Sequence, residues 1–198
     1  MTDFLTFLAL LQTEHIKNAV EQVEKEFSRI DILVNNAGLG LFDNADKTTD
    51  DMWHKMIDTN LNGVYFFARE VGEVMLKQKY GRIINVGSIH STVAMNGLPL
   101  TAYCSTKGGV LMLTKALANE WAKHGITVNA IGPGYFALGM AEGLVADPKF
   151  AKIIEFMCPM GRAGMSGELD TTVLYFASDA STYTTGQIIT VDGGWTTI

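Results

Sequence analysis

The chain has 198 residues, 47% of them apolar and 18% charged, and a formal net charge of -6. That supplies enough material for the core of one domain and excludes a disordered chain. The acidic balance, with no basic run, leaves no electrostatic footprint for nucleic acid.

In chain order, the first feature is the apolar run Phe4 to Leu11, well short of the roughly 20 residues a membrane span takes. It follows Met1-Thr2-Asp3, without the positive region of a signal peptide. It reads as the start of a buried strand or helix, and no membrane association is expected. Ile16, Ala19, Val20, Val23 and Phe27 then repeat at helical spacing, against Glu21, Glu24, Lys25 and Glu26 on the other face. An apolar strand from Ile30 to Asn35 ends in Asn35-Asn36-Ala37-Gly38. The span Asp50 to Lys79 is long enough for one or two helices. A second strand, Arg82 to Val86, ends in Gly87-Ser88. A helix from Ala102 to Lys123 carries Val110, Leu111, Leu113, Leu117 and Trp121, and Gly125 marks its end. The strand Ile126 to Ile131 ends in Gly132-Pro133-Gly134. Shorter helices are expected over Ala141 to Met157 and Gly167 to Ser178. A last strand, Gln187 to Val191, leads into a tight turn at Asp192-Gly193-Gly194.

The strands are rich in Ile and Val and lack polar alternation, as in parallel sheets covered on both faces. Strand and helix alternate, which predicts right-handed βαβ units. The expected fold class is α/β: a Rossmann-like doubly wound parallel sheet, N-terminally truncated, with about four core strands plus helices. One domain is expected over 1–198, with 1–13 an atypical N-terminal segment. The first glycine is Gly38, so no glycine-rich turn precedes Ile30 to seat a pyrophosphate.

Tyr103 and Lys107 lie four residues apart, on one face of the predicted helix. A phenol with a pKa near ~10 is a poor base at neutral pH. A neighbouring ammonium lowers that value and makes proton transfer accessible. Ser88, at the C-terminal end of a parallel strand, stands where such sheets bind ligands. Ala37-Gly38 and Gly134 let a ligand approach backbone closely. His90 reads as a solvated loop histidine, with a substrate contact as the alternative, and Cys104 as core packing beside Tyr103. Met52, Trp53 and Met56 are expected in the core or at an interface, and Met140, Met157, Met160 and Met165 as gap-fillers. Cys104 and Cys158 have neither metal-ligand nor disulfide spacing, so no metal is expected and the setting is read as reduced and cytoplasmic.

These pieces together resemble the short-chain dehydrogenase/reductase family from about Glu14 onward. The matching segments are NNAG, DTNLNGVYFF, INVGS, YCSTKGG, ITVNAIGPG and ITVDGG. GPGYF, NEWAKHGITVNAI and SDASTYTTGQIITVDGGW are most similar to gluconate 5-dehydrogenase-like members. The resemblance implies an NAD(P)-dependent oxidoreductase. It would move a hydride between the nicotinamide of NAD or NADP and a small-molecule secondary alcohol or ketone, a sugar acid or polyol. Tyr103 would be the general acid/base. Lys107 would lower its pKa and hold the nicotinamide ribose. Ser88 would orient the substrate oxygen, and Asn60 would anchor a water linking Lys107 to solvent. Asn35 and Ala37 would line the adenosine side, and Gly134 and Phe136 would meet the nicotinamide through backbone. A homo-oligomer, dimer or tetramer, would form through the helices of 50–79 and 102–123.

The chain departs from the family in four places. The opening segment of some ~50 residues, with its glycine-rich turn, is absent. Ala9-Leu10-Leu11-Gln12 stands where an adenine-contacting aspartate is usual. Leu138 stands where a threonine bonds the nicotinamide amide, a bond leucine cannot make. The loop from Ser88 to Tyr103 is slightly long. The Ile30 strand would be a sheet edge, covered or extended by Phe4 to Leu11. The alternative reading is a truncated, cofactor-deficient member acting as a non-catalytic binding or oligomer subunit.

Overall fold

The structure, a computed structural model, describes residues 13–197; the Phe4 to Leu11 segment and its predicted place on the sheet edge lie outside them. Helix α1 (Thr13–Phe27) leads into β1 (Ile32–Asn35). Helix α2 (Asp50–Ile57) runs through a widened turn, Asp58–Asn62, into α3 (Gly63–Gln78). Strand β2 (Gly81–Val86) precedes α4 (Thr101–Trp121), and β3 (Ile126–Pro133) follows it. Then come α5 (Glu142–Ala146), α6 (Pro148–Met157), α7 (Asp170–Ala177) and β4 (Ile188–Val191).

The four strands lie in the order β1-β2-β3-β4, all parallel. This is the expected Rossmann-like sheet. Alternation along each strand divides the core. Ile83, Ile126 and Val128 pack under α1, α3 and α4 with Val20, Val71, Met75 and Leu117. Ile84 and Ile131 face the other way, against Phe176 of α7. A third cluster, Ile89, Phe150, Ile154, Cys158 and Trp195, sits beyond the C-terminal ends of the strands and roofs the site.

Local chemistry sets the element ends. The Thr49 hydroxyl accepts from the Met52 amide at 3.2 Å and starts α2. The Asp147 carboxylate accepts from the Lys149 and Phe150 amides at 2.7 and 3.3 Å, with Pro148 at the first helical position. That cap divides the predicted Ala141 to Met157 helix into α5 and α6. Gly125 (φ +76) closes the α4 segment, and a Cβ there would stand 2.5 Å from the Lys79 carbonyl oxygen, so only glycine is accommodated.

Two expectations about burial are corrected. Val23 and Phe27 are 41% and 63% exposed, because no described residue covers the outer flank of α1 and β1. Met140, Met160 and Met165 are exposed and fill no core gap, while Met56 is fully buried and Trp53 lies at the surface. Among the described residues no helix is long and apolar enough to cross a membrane, and no cluster of His, Cys, Asp and Glu could hold a metal ion.

Candidate active site

Four of the predicted residues converge at the C-terminal end of β2. Tyr103 and Lys107 share one face of the first two turns of α4. The Lys107 ammonium is 4% exposed and donates to the Val86 carbonyl at 2.7 Å. Burial pushes it down to about 8. Its Nζ lies 5.8 Å from the centre of the Tyr103 ring. Burial pushes the Tyr103 phenol above its ordinary value, and a hydrogen bond with Ser88 pulls the other way. Ser88 is the neighbour that favours the phenolate.

Ser88 follows β2 and caps the short turn Ile89–Ser91. Its Oγ accepts from the His90 amide at 3.1 Å, and its own amide donates to Ser91 Oγ at 3.2 Å. One lone pair of Ser88 is thereby occupied, and its hydroxyl remains available beside Tyr103. The serine both ends its strand and faces the phenol.

Asn60 lies in the widened turn between α2 and α3 and is fully buried. Its amide clamps Leu39 twice, Oδ1 accepting from the Leu39 amide and Nδ2 donating to the Leu39 carbonyl, each at 2.8 Å. Such turns recur at functional sites because they re-aim a side chain without ending the helix. The clamp fixes the Gly38-Leu39 turn over Lys107. A Cβ on Gly38 would stand 3.5 Å from Asn60 Oδ1 and 3.7 Å from Lys107 Nζ. The absent side chain leaves a cradle open beside both polar groups.

The predicted cofactor-lining residues divide. Ala37 is exposed at the end of β1, on a groove of about 230 Å³ bounded by Asn36, Thr59, Val64 and Phe67. Thr59 Oγ1, in that wall, is buried with no partner among the described residues. Asn35 borders the groove, but its amide is committed inward, donating to Asn85 Oδ1 at 2.9 Å and the Val64 carbonyl at 3.3 Å. Gly134 donates its amide to the Val191 carbonyl at 3.0 Å, and a Cβ there would meet Asp192 Cα at 2.8 Å. Phe136 is buried, its ring against Gly164, and the flanking Tyr135 carbonyl and Ala137 amide make the backbone bonds to Gly164. Leu138 is exposed.

A nicotinamide dinucleotide can be tested against these residues. The Gly38 cradle and the Lys107 ammonium suit a polyhydroxylated ribose, which offers both donors and acceptors, while the orphan Thr59 hydroxyl lies in the groove beside Ala37. Among the described residues no glycine-rich strand-to-helix turn is present for the pyrophosphate. The fit is thus to the nicotinamide riboside end.

Sequence reasoning misplaced His90. It is 6% exposed, with Nδ1 3.0 Å from the Val93 carbonyl and Nε2 3.0 Å from the Tyr135 hydroxyl. Phe42, also missed, packs edge-on against the Tyr103 ring at 5.8 Å. The one available signal was Tyr135, an aromatic hydroxyl directly after the Gly132-Pro133-Gly134 strand end.

This fold, with Ser88, Tyr103 and Lys107 gathered at one strand end, is a dehydrogenase architecture. The chain belongs to the short-chain dehydrogenase/reductase family; residues 10–196 match the family model described as enoyl-(acyl carrier protein) reductase. It is 39% identical over 176 residues to the 2-dehydro-3-deoxy-D-gluconate 5-dehydrogenase of Pseudoalteromonas atlantica, covering 89% of this chain and 68% of that protein. It is 37% identical over 179 residues to the gluconate 5-dehydrogenase of Gluconobacter oxydans, covering 90% and 69%. The crystal structure of a gluconate 5-dehydrogenase from Burkholderia cenocepacia in complex with NADP and tartrate superposes with a TM-score of 0.92 at 36% identity, covering 96% of this chain and 73% of that one. These relatives are dehydrogenases, and nothing among them supports the non-catalytic reading.

Proposed function

We propose that this chain interconverts a secondary alcohol and a ketone on a small sugar acid, with NADP as hydride partner. The observation that carries the reading is the gathering of Ser88, Tyr103 and Lys107 at the end of β2, with Lys107 beside the Gly38 cradle, in a chain similar to gluconate 5-dehydrogenases. The relative in complex with NADP and tartrate, a hydroxylated acid, supports both the cofactor and the substrate class.

When bound, the nicotinamide supplies or accepts the hydride. Tyr103 moves the proton: its phenol donates to the carbonyl oxygen in reduction, and its phenolate takes the hydroxyl proton in oxidation. Ser88 Oγ–H holds the substrate oxygen beside Tyr103. Lys107, fixed by the Val86 carbonyl, would hold the ribose hydroxyls over the Gly38 cradle. Asn60 keeps that cradle in place through Leu39, and its proposed water link to Lys107 would relay protons to solvent. Ala37 and the Asn35 backbone would border the adenosine side, and Gly134 and Phe136 the nicotinamide side. Assembly into a homo-oligomer through α3 and α4 belongs to the same reading.

The test is steady-state kinetics with 5-keto-D-gluconate and NADPH, and with D-gluconate and NADP. Turnover abolished by Tyr103→Phe is the expected result. Saturating NADPH binding by calorimetry with no turnover on any keto sugar acid would overturn the substrate class. No binding at millimolar NADPH or NADH would overturn the reading for this chain.

A further inference from the structure

His90 stands outside the set of Ser88, Tyr103, Lys107 and Asn60, yet it touches two of them. Its backbone amide donates to Ser88 Oγ at 3.1 Å. Its ring stands edge-on to Tyr103, with centroids 6.1 Å apart and planes at 76°. Both ring nitrogens are taken. The Val93 carbonyl, 3.0 Å away, can only accept, so Nδ1 carries the proton. Burial lowers the imidazole's affinity for a second proton, so Nε2 keeps its lone pair and accepts from the Tyr135 hydroxyl at 3.0 Å; it is the stronger acceptor for a proton that also faces the weak acceptor Met95 Sδ at 3.3 Å. Neither nitrogen is left for a substrate. The ring is instead locked at both ends.

Tyr135 carries the restraint further. Its ring packs edge-on against Phe150 of α6 and against Trp195, each at 5.0 Å. From the other side, Phe42 bounds the Tyr103 ring at 5.8 Å. A continuous line of rings runs from α6 and the C-terminal turn, through Tyr135 and His90, to the phenol.

We propose that His90 is a positioning residue for Tyr103: anchored by Val93 and Tyr135, it holds the phenol in the orientation that Ser88 engages, and it ties that orientation to the packing of α6 and Trp195. Only the acid/base role of Tyr103 is taken from the proposed function. A ring held by two hydrogen bonds has lost its rotameric freedom in advance, which is what orienting a catalytic group requires.

The experiment removes one link at a time. Tyr135→Phe deletes a single hydroxyl and keeps the ring packing; His90→Phe keeps a ring beside Tyr103 and deletes both nitrogens. Tyrosine Cζ is labelled with carbon-13, the Tyr103 resonance is assigned with Tyr103→Phe, and its titration is followed by NMR in the free protein. The titratable groups facing Tyr103 are Lys107 and Cys104 on α4, together with His90 and Tyr135. The expected result is a rise of the Tyr103 midpoint by roughly half a pH unit or more in each variant, as Ser88's hydrogen bond is lost. The double variant should shift no further than the larger single one, because both break the same link. With 5-keto-D-gluconate and NADPH, kcat should fall roughly tenfold while KM stays within about twofold.

An unchanged Tyr103 midpoint in Tyr135→Phe overturns the proposal, as do additive shifts in the double variant. A loss confined to KM overturns it in favour of a substrate contact. The titration uses neither substrate nor cofactor, so it stands if the sugar-acid reading fails. Should His90→Phe not fold, Tyr135→Phe decides alone.

Discussion

β1 and β2 are neighbours in one sheet, paired residue by residue from Ile32 with Arg82 to Asn35 with Asn85. Their surroundings differ sharply. Every residue of β2 from Gly81 to Asn85 is buried, whereas Ile32 and Val34 of β1 are 46% and 42% exposed. The two strands meet at a polar seam: Asn35 donates to Asn85 at 2.9 Å, and Asn85 donates to the Thr114 hydroxyl at 2.9 Å. The same Ile- and Val-rich pattern thus gives a core strand where helices cover both faces, and an apolar edge where the described residues supply no cover. An apolar strand pattern records capacity for burial; the cover decides whether it is used.

The comparison can be broken most severely at its buried end. Tyr103→Phe should lower turnover of 5-keto-D-gluconate with NADPH roughly a thousandfold, with far-UV circular dichroism unchanged. Asn85→Ala empties the seam, leaving the Asn35 amide with only the Val64 carbonyl and the Thr114 hydroxyl with only the Val110 carbonyl. It should cost about 2–3 kcal/mol in urea unfolding.

Smaller effects sharpen it. Tyr103 is raised, so at neutral pH it is protonated and ready as the acid. Ketone reduction should therefore hold near pH 7 and fall as pH rises through the alkaline range, while alcohol oxidation climbs over the same range; rate profiles in the two directions check the sign. Gly38→Ala should leave stability unchanged, since its Cβ meets only ordinary contacts at 3.5 and 3.7 Å. Its methyl should still weaken NADPH binding by calorimetry, because it occupies the cradle over Lys107. The smallest effect belongs to the edge: Val34→Thr should change unfolding free energy by no more than about 0.5 kcal/mol. A larger loss there would mean that the edge of β1 is covered in solution.

Much of this was legible because it is local in sequence. The spacing of Tyr103 and Lys107 is one helical turn, and each strand announces its C-terminal end with small or polar residues. The four strands fall where the apolar runs place them. What was not legible depends on partners distant in the chain. Asn35 turns inward because register sets it beside Asn85. His90 is buried because Tyr135, 45 residues on, meets its ring. Lys107 is held by the Val86 carbonyl, a bond no spacing reveals.

The widened turn at Asp58–Asn62 gives the long helix a change of phase. There the Gly63 amide bonds back to the Asp58 carbonyl, five residues away instead of four. Each residue of an α-helix advances its direction by about 100°. The turn absorbs one surplus residue, so α2 and α3 share a course but are indexed differently. Removing a single residue from it would restore ordinary winding with α2 and α3 left on their shared course, but without the bulge that aims Asn60. Met56, whose sulfur receives the Leu41 amide at 3.3 Å, would keep its place, whereas Asn60, inside the turn, would release Leu39. The helix would remain a helix while the cradle over Lys107 lost its clamp. In this segment the length of the chain, more than the identity of its side chains, is what the site cannot do without.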